Sequence, residues 1–97
     1  MNNLKKELKN KKAIEACARQ FGIIGDPTRL KICYLLCNHP ELSVSAIADA
    51  VGVSISAVSH SLKKLKSFKL VKSRRDFRTV YYSWINKDVG KMIQSQI

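Results

Sequence analysis

Apolar residues recur along most of this chain at the three- and four-residue spacing of a helix face, and in one stretch the spacing drops to two. Ile14, Cys17, Phe21 and Ile24 share one face of an expected helix that begins near Ala13 and closes near Gly25. Asp26 and Pro27 announce the next helix, since Asp is a favoured N-cap and Pro suits the first helical position, where its missing N–H would be unpaired anyway. That helix, over 28–38, carries Leu30, Ile32, Cys33, Leu35, Leu36 and Cys37 around most of its circumference, so it is expected to be the buried spine. Pro40 stops it. Ser43 then caps a short helix with Val44, Ile47, Ala48 and Val51, and Gly52 supplies the permissive residue of a tight turn.

Ser54 caps the following helix, in which Ile55, Val58, Leu62 and Leu65 face inward and Ser56, Ser59, His60 and Lys63 outward. At 70–75 and 78–84 β-branched and aromatic residues take over, with Val80, Tyr82 and Trp84 on one face of the second strand. A lone hairpin is marginal in water, so this one is expected to pack on the helices and project its tip, near Asp76 and Phe77, as a wing. Residues 86–97 return to helix, with Val89, Ile93 and Ile97 in a stripe and Met92 beside it. Residues 1–12 read as a flexible arm or fraying helix anchored only by Leu4 and Leu8.

Two short helices joined by a glycine-containing turn, the second polar on its outer face, make a helix-turn-helix. The expected architecture is therefore mainly α with a small two-stranded antiparallel β wing, a winged helix-turn-helix in a single domain spanning 1–97. With 97 residues and 45% hydrophobic content the chain can bury one modest core.

Charge adds the first indication of a partner. The formal net charge is +11, and within 54–84 Asp76 is the single acid against Lys63, Lys64, Lys66, Lys69, Lys72, Arg74, Arg75 and Arg78. Clustered cations of this kind are rewarded by counterion release on a phosphate backbone. No stretch approaches the roughly 20 apolar residues of a membrane span. The charged N-terminus, with Lys5, Lys6, Glu7 and Lys9, lacks the apolar core of a secretory signal, so an intracellular, cytoplasmic protein is expected. Cys17, Cys33 and Cys37 are odd in number and lie in helical patterns, which fits reduced thiols better than disulfides. Paired carboxylates, a glycine-rich phosphate loop and a nucleophile beside a base are all missing from the pattern, so the chain does not read as an enzyme.

These segments resemble the ArsR/SmtB repressors. GDPTRLKICYLL at 25–36, ELSVSAIADAVGVS at 41–54, SAVSHSLKKLKSFKLVKSRR at 56–75 and RTVYYSW at 78–84 match that family's pattern in order, over roughly residues 13–90. The resemblance implies a homodimeric winged helix-turn-helix repressor, with the first and last helices at the dimer interface and 86–97 as a dimerisation helix. It implies double-stranded DNA as partner, with paired recognition helices entering successive major grooves of an imperfect palindrome. Two departures bear on regulation. Many arsenite and cadmium sensors of the family carry Cys-Val-Cys where this chain has Ser43 and Ser45, and hydroxyls are poor ligands for soft metals. Zinc-sensing members place Asp and His along the last helix, where this chain offers Asn86, Lys87 and Asp88 and no histidine. No cofactor and neither metal site is expected, and the inducer is unassigned.

The expected DNA-binding residues are Ser54, Ser56, Ser59, His60, Lys63, Arg74, Arg75 and Arg78. Serines and His60 face the bases, Lys63 and the arginines the phosphates, and one wing arginine a narrow minor groove. Cys33 and Cys37 share a helix face and could form a thiol site for redox, persulfide or arsenite sensing. Cys33 also continues the apolar stripe through Leu30, which favours a core role for it. A winged helix can alternatively serve as an RNA- or protein-binding module. A tight primed turn at the wing tip demands positive φ, costly for Phe77, so the wing is expected to turn differently there. Phe77 either packs back on the hairpin or touches DNA sugar or a partner.

Overall fold

The computed structural model describes residues 26–96 and, ahead of them, Leu4 and Leu8. Helix α1 spans Pro27–Asn38. Its start is chemical: the Asp26 carboxylate accepts a 2.8 Å hydrogen bond from the Thr28 N–H, and Pro27 occupies the first turn. Leu30, Ile32, Cys33, Leu35 and Leu36 are all buried, so α1 is the spine that its all-round apolar pattern predicts. Leu4 and Leu8, the two apolar anchors of the N-terminal stretch, belong to the same buried cluster. The helix expected over 13–24, with Ile14, Cys17, Phe21 and Ile24, lies outside the described residues, as does Ile97.

Helix α2 spans Val44–Val51 and α3 spans Ile55–Ser67. Each is capped by the predicted serine. Ser43 Oγ accepts from the Ala46 N–H at 3.1 Å, and Ser54 Oγ from the Ala57 N–H at 3.0 Å. Between them Gly52 takes φ 80° and donates its N–H to the Ala48 carbonyl. The chain bends by 111° across this turn, within the helix-turn-helix range. Helix α3 ends without glycine: Lys69 donates to the Lys66 carbonyl and Leu70 to the Leu65 carbonyl, with Lys69 at φ 61°. That is a Schellman arrangement with lysine in the left-handed position. Leu65 and Leu70, its flanking apolar pair, are both buried.

The sheet is larger than expected. Strand β1 (Leu42–Ser43) pairs antiparallel with β3 (Thr79–Trp84), which pairs in turn with β2 (Val71–Asp76), in the order β1-β3-β2. The expected two-stranded wing is the β2–β3 hairpin, and β1 adds a third strand at its edge. Opposite residues in β2 and β3 are Val71 and Trp84, Ser73 and Tyr82, Arg75 and Val80 on one face, and Lys72 and Ser83, Arg74 and Tyr81, Asp76 and Thr79 on the other. Val71 and Tyr82 are buried, so the first face is the inner one.

Helix α4 spans Lys87–Gln96 and packs on α1. Asn86 starts it, its side-chain oxygen accepting from the Val89 N–H at 3.0 Å. Ile93 is fully buried and Met92 is 53% exposed. Among the described residues no single helix is long and apolar enough to cross a membrane.

Candidate nucleic-acid interface

The buried face of α3 consists of Val58, Leu62 and Leu65, each at 0% exposure. Anchoring those three fixes what the opposite face presents. Ser54, Ser56, His60 and Lys63 are exposed and Ser59 is half-buried. Ile55, expected in the inward stripe, is 56% exposed instead. It is the first residue of α3, and periodicity fixes the angle of a side chain around the axis but not whether anything lies opposite it. Ile55 lines a groove of about 340 Å³ with Val44, Ser45, Ser59, Arg78, Thr79 and Val80, so one groove joins both helix starts to the wing. Ser45, Ile55 and Thr79 are additions to the predicted set, and only the tertiary fold brings them there.

Ser54 has a divided role. Its oxygen already accepts from Ala57, which leaves its O–H free to donate to an anion. Lys66 Nζ donates to Ser73 Oγ at 2.9 Å and ties α3 to the inner face of the wing.

The wing arginines separate. Arg75 and Arg78 are exposed, Arg75 on the inner face beyond the core and Arg78 in the groove beside Ser59. Arg74 lies on the outer face. Its Nε donates to Glu41 Oε2 at 2.9 Å, a second nitrogen reaches Oε1, and its guanidinium stacks 4.5 Å from the Tyr81 ring centroid. The hydrogen bond from Arg74 holds the Glu41 carboxyl below the usual carboxylate range, and the same bond raises Arg74 further. Glu41 immediately precedes β1, so this pair brackets the short edge strand against the wing. Sequence alternation separates Arg74 from Arg75, but the Glu41 partner depends on β1, which two residues do not announce.

At the wing tip Asp76 pairs with Thr79, leaving Phe77 and Arg78 to turn the chain. Phe77 adopts φ 54°, which corrects the expectation of a turn that avoids positive φ. A two-residue link between twisted antiparallel strands imposes a primed geometry whatever residue occupies it. Phe77 is also 93% exposed, so it does not pack back on the hairpin.

Cys33 is buried at 0% exposure, and burial, assisted by neighbouring Cys37, pushes its thiol well above the ordinary range. Burial also pushes Cys37 up to about 12. The neutral thiol is thus the folded form. For Cys37 this contribution to stability is fully present below the ordinary value of 9.0 and is lost as pH rises through about 12. Thiolate is the reactive species, so iodoacetamide at pH 8 is expected to label both cysteines at least about tenfold more slowly in the native protein than in urea, as located by peptide mass mapping. Rapid native labelling of Cys37 would instead mark an activated thiol. Among the described residues no three His, Cys, Asp or Glu side chains cluster as a metal site.

A capped helix presenting hydroxyls, an imidazole and a lysine beside a basic hairpin is the arrangement of a winged helix-turn-helix DNA-binding regulator. Comparison with known proteins gives the same class. The model of the bacterial regulatory protein arsR family matches residues 26–73. The chain is 32% identical to a cadmium resistance transcriptional regulatory protein CadC homolog of Staphylococcus aureus, over 97% of this chain and 77% of that protein. It is 46% identical to a transcriptional repressor SmtB homolog of Synechocystis, over 74% of this chain and 54% of that one. The chain thus spans about three quarters of the first relative and about half of the second. Among solved structures, the transcriptional regulator HlyU of Vibrio vulnificus superposes with a TM-score of 0.71 at 32% identity, covering 98% of this chain and 94% of that one. The chain belongs to the ArsR/SmtB family of DNA-binding transcriptional repressors. The family and these relatives are transcriptional regulators, not enzymes.

Proposed function

We propose that the protein is a cytoplasmic homodimeric repressor that reads an imperfect palindrome in double-stranded DNA, without the family's metal sites. The observation that carries the reading is the two-sidedness of α3: Val58, Leu62 and Leu65 fully buried, Ser56, His60 and Lys63 exposed. In the major groove Ser56, Ser59 and His60 meet base edges, while Ser54 and Lys63 meet phosphates. Arg75 and Arg78 reach phosphates or the adjacent minor groove. Arg74 is committed to Glu41 on the outer face, so its part is to brace the wing rather than to hold DNA. Helix α4, with Met92 outward, contributes to the dimer interface. Ser43, at one expected ligand position, is spent as a helix cap, which supports the absence of the Cys-Val-Cys metal site. Cys33 is fully buried and Cys37 half-buried, which supports a packing role for the pair over the thiol-sensor alternative.

The test is selection of duplexes from a randomised pool by the purified protein, followed by binding of selected and random duplexes over a range of salt. Specific binding with steep salt dependence is expected. Ser56→Ala, Ser59→Ala and His60→Ala are expected to relax base preference. Lys63→Ala and Arg75→Ala should weaken all sequences alike and reduce the salt slope by about 1 each, with Arg74→Ala changing it less. Equal affinity for selected and random duplexes at physiological salt would sink the reading. Preference for single-stranded RNA over duplex DNA would favour an RNA-binding module.

A further inference from the structure

The tip of the wing carries a side chain that neither packing nor backbone geometry accounts for. A lone exposed apolar residue needs no explanation, but Phe77 combines 93% exposure with φ 54°. The register from Asp76 to Thr79 requires a residue that tolerates positive φ, and Gly or Asn would meet that need with less strain. Phe77 is not part of the buried cluster, nor is it packed against it. Backbone strain and an exposed ring together at the end of a protruding element point to a contact outside the chain.

The neighbours define that contact. Arg75 and Arg78 flank Phe77 and both are exposed, which suits a polyanion. Asp76, also exposed, offsets one of them, so the tip is poorly built as a purely electrostatic phosphate clamp. The same hairpin lines one groove with Ser59 of α3, so tip and recognition helix address one ligand. Building on the reading of α3 as the major-groove helix, we propose that Phe77 enters the minor groove of the DNA flanking that site. Its ring lies against the deoxyribose walls, with Arg75 and Arg78 on the bordering phosphates. The minor groove is about 6 Å wide, and Phe is among the apolar residues that minor-groove proteins insert there. Because the guanine amino group projects into this groove, the flank is expected to favour A·T pairs.

The duplex selected by the wild-type protein serves as the probe. Phe77→Asn keeps a residue suited to positive φ and removes the ring, whereas Phe77→Tyr keeps the ring. Phe77→Asn is expected to melt at or above the wild-type temperature, to bind about tenfold more weakly, and to keep the wild-type salt slope because no charge is lost. Phe77→Tyr should bind like wild type. Dimethyl sulfate footprinting reads guanine N7 in the major groove and adenine N3 in the minor groove. Phe77→Asn should retain the first protection and lose the second. Wild-type affinity with intact adenine protection in Phe77→Asn would overturn the proposal, and so would a loss of affinity accompanied by a reduced salt slope. If the wild-type protein selects no duplex, the DNA reading itself fails before any variant is compared.

Discussion

Replacing Leu62 by alanine is expected to remove about 2–5 kcal/mol of folding free energy, the range for deleting a fully buried leucine. Leu62 is at 0% exposure in the middle of α3, between Val58 and Leu65 on the same buried face, so the truncation leaves a cavity that its neighbours can fill only in part. A domain of this size has about 5–15 kcal/mol in total, so roughly a third of its stability is at stake. The melting temperature should fall by roughly 10 °C or more, and the urea midpoint should drop with an unchanged m-value. The neighbouring Lys63→Ala supplies the contrast. Its side chain is exposed, so stability should stay within about 0.5 kcal/mol of wild type while DNA affinity falls. Adjacent residues would then separate the two faces of one helix, one supporting the fold and one serving the ligand. A Leu62→Ala protein that melts like wild type would mean that this face is not the packed one.

What could be read from the chain beforehand follows how local each feature is. The caps at Asp26, Ser43 and Ser54 act on amides two or three residues away, so sequence alone locates the starts of α1, α2 and α3. Buried stripes in α1 and α3 follow from helical spacing in the same way. Features that depend on distant partners were hidden. Strand β1 is two residues long, too short to show alternation, and exists because Tyr81 and Tyr82 lie across from it. The Glu41 and Arg74 bracket depends on that strand. Ile55 fits the inward stripe by angle and is exposed all the same. Lys69 and Phe77 hold left-handed conformations that a sequence reader assigns to glycine, because Schellman closure at one and strand register at the other set φ regardless of side chain. In the candidate interface the helical half was accordingly legible, while the wing needed tertiary structure to separate Arg74 from Arg75.

Gly90→Ala is expected to destabilise the protein, although local propensity alone gives the opposite sign. Gly90 lies inside α4, and alanine in a helix interior is ordinarily favoured by about 0.5–1 kcal/mol. Here a Cβ would stand 2.7 Å from Trp84 Nε1, 3.2 Å from Trp84 Cδ1 and 3.5 Å from Cys37 Sγ. The indole cannot simply swing aside, because its N–H donates to the Asn86 carbonyl, which also accepts the Gly90 N–H in the first turn of α4. Relief must come from moving α4 away from the end of β3 or from breaking the indole hydrogen bond, and overpacking of this kind costs about 1–3 kcal/mol. That exceeds the propensity gain. A net loss of about 1 kcal/mol corresponds to a melting temperature roughly 4–8 °C lower. Trp84 is the single tryptophan, so its emission reports the site directly and should shift to the red as the indole is displaced. Trp84→Phe removes the obstructing nitrogen, and in that background Gly90→Ala should become neutral or stabilising, a coupling that a double-mutant cycle measures. A higher melting temperature for Gly90→Ala alone would show that α4 does not depend on this close approach. Because α4 is the helix proposed for the dimer interface, the same shift should also weaken dimerisation, which sedimentation of the variant at micromolar concentration would detect.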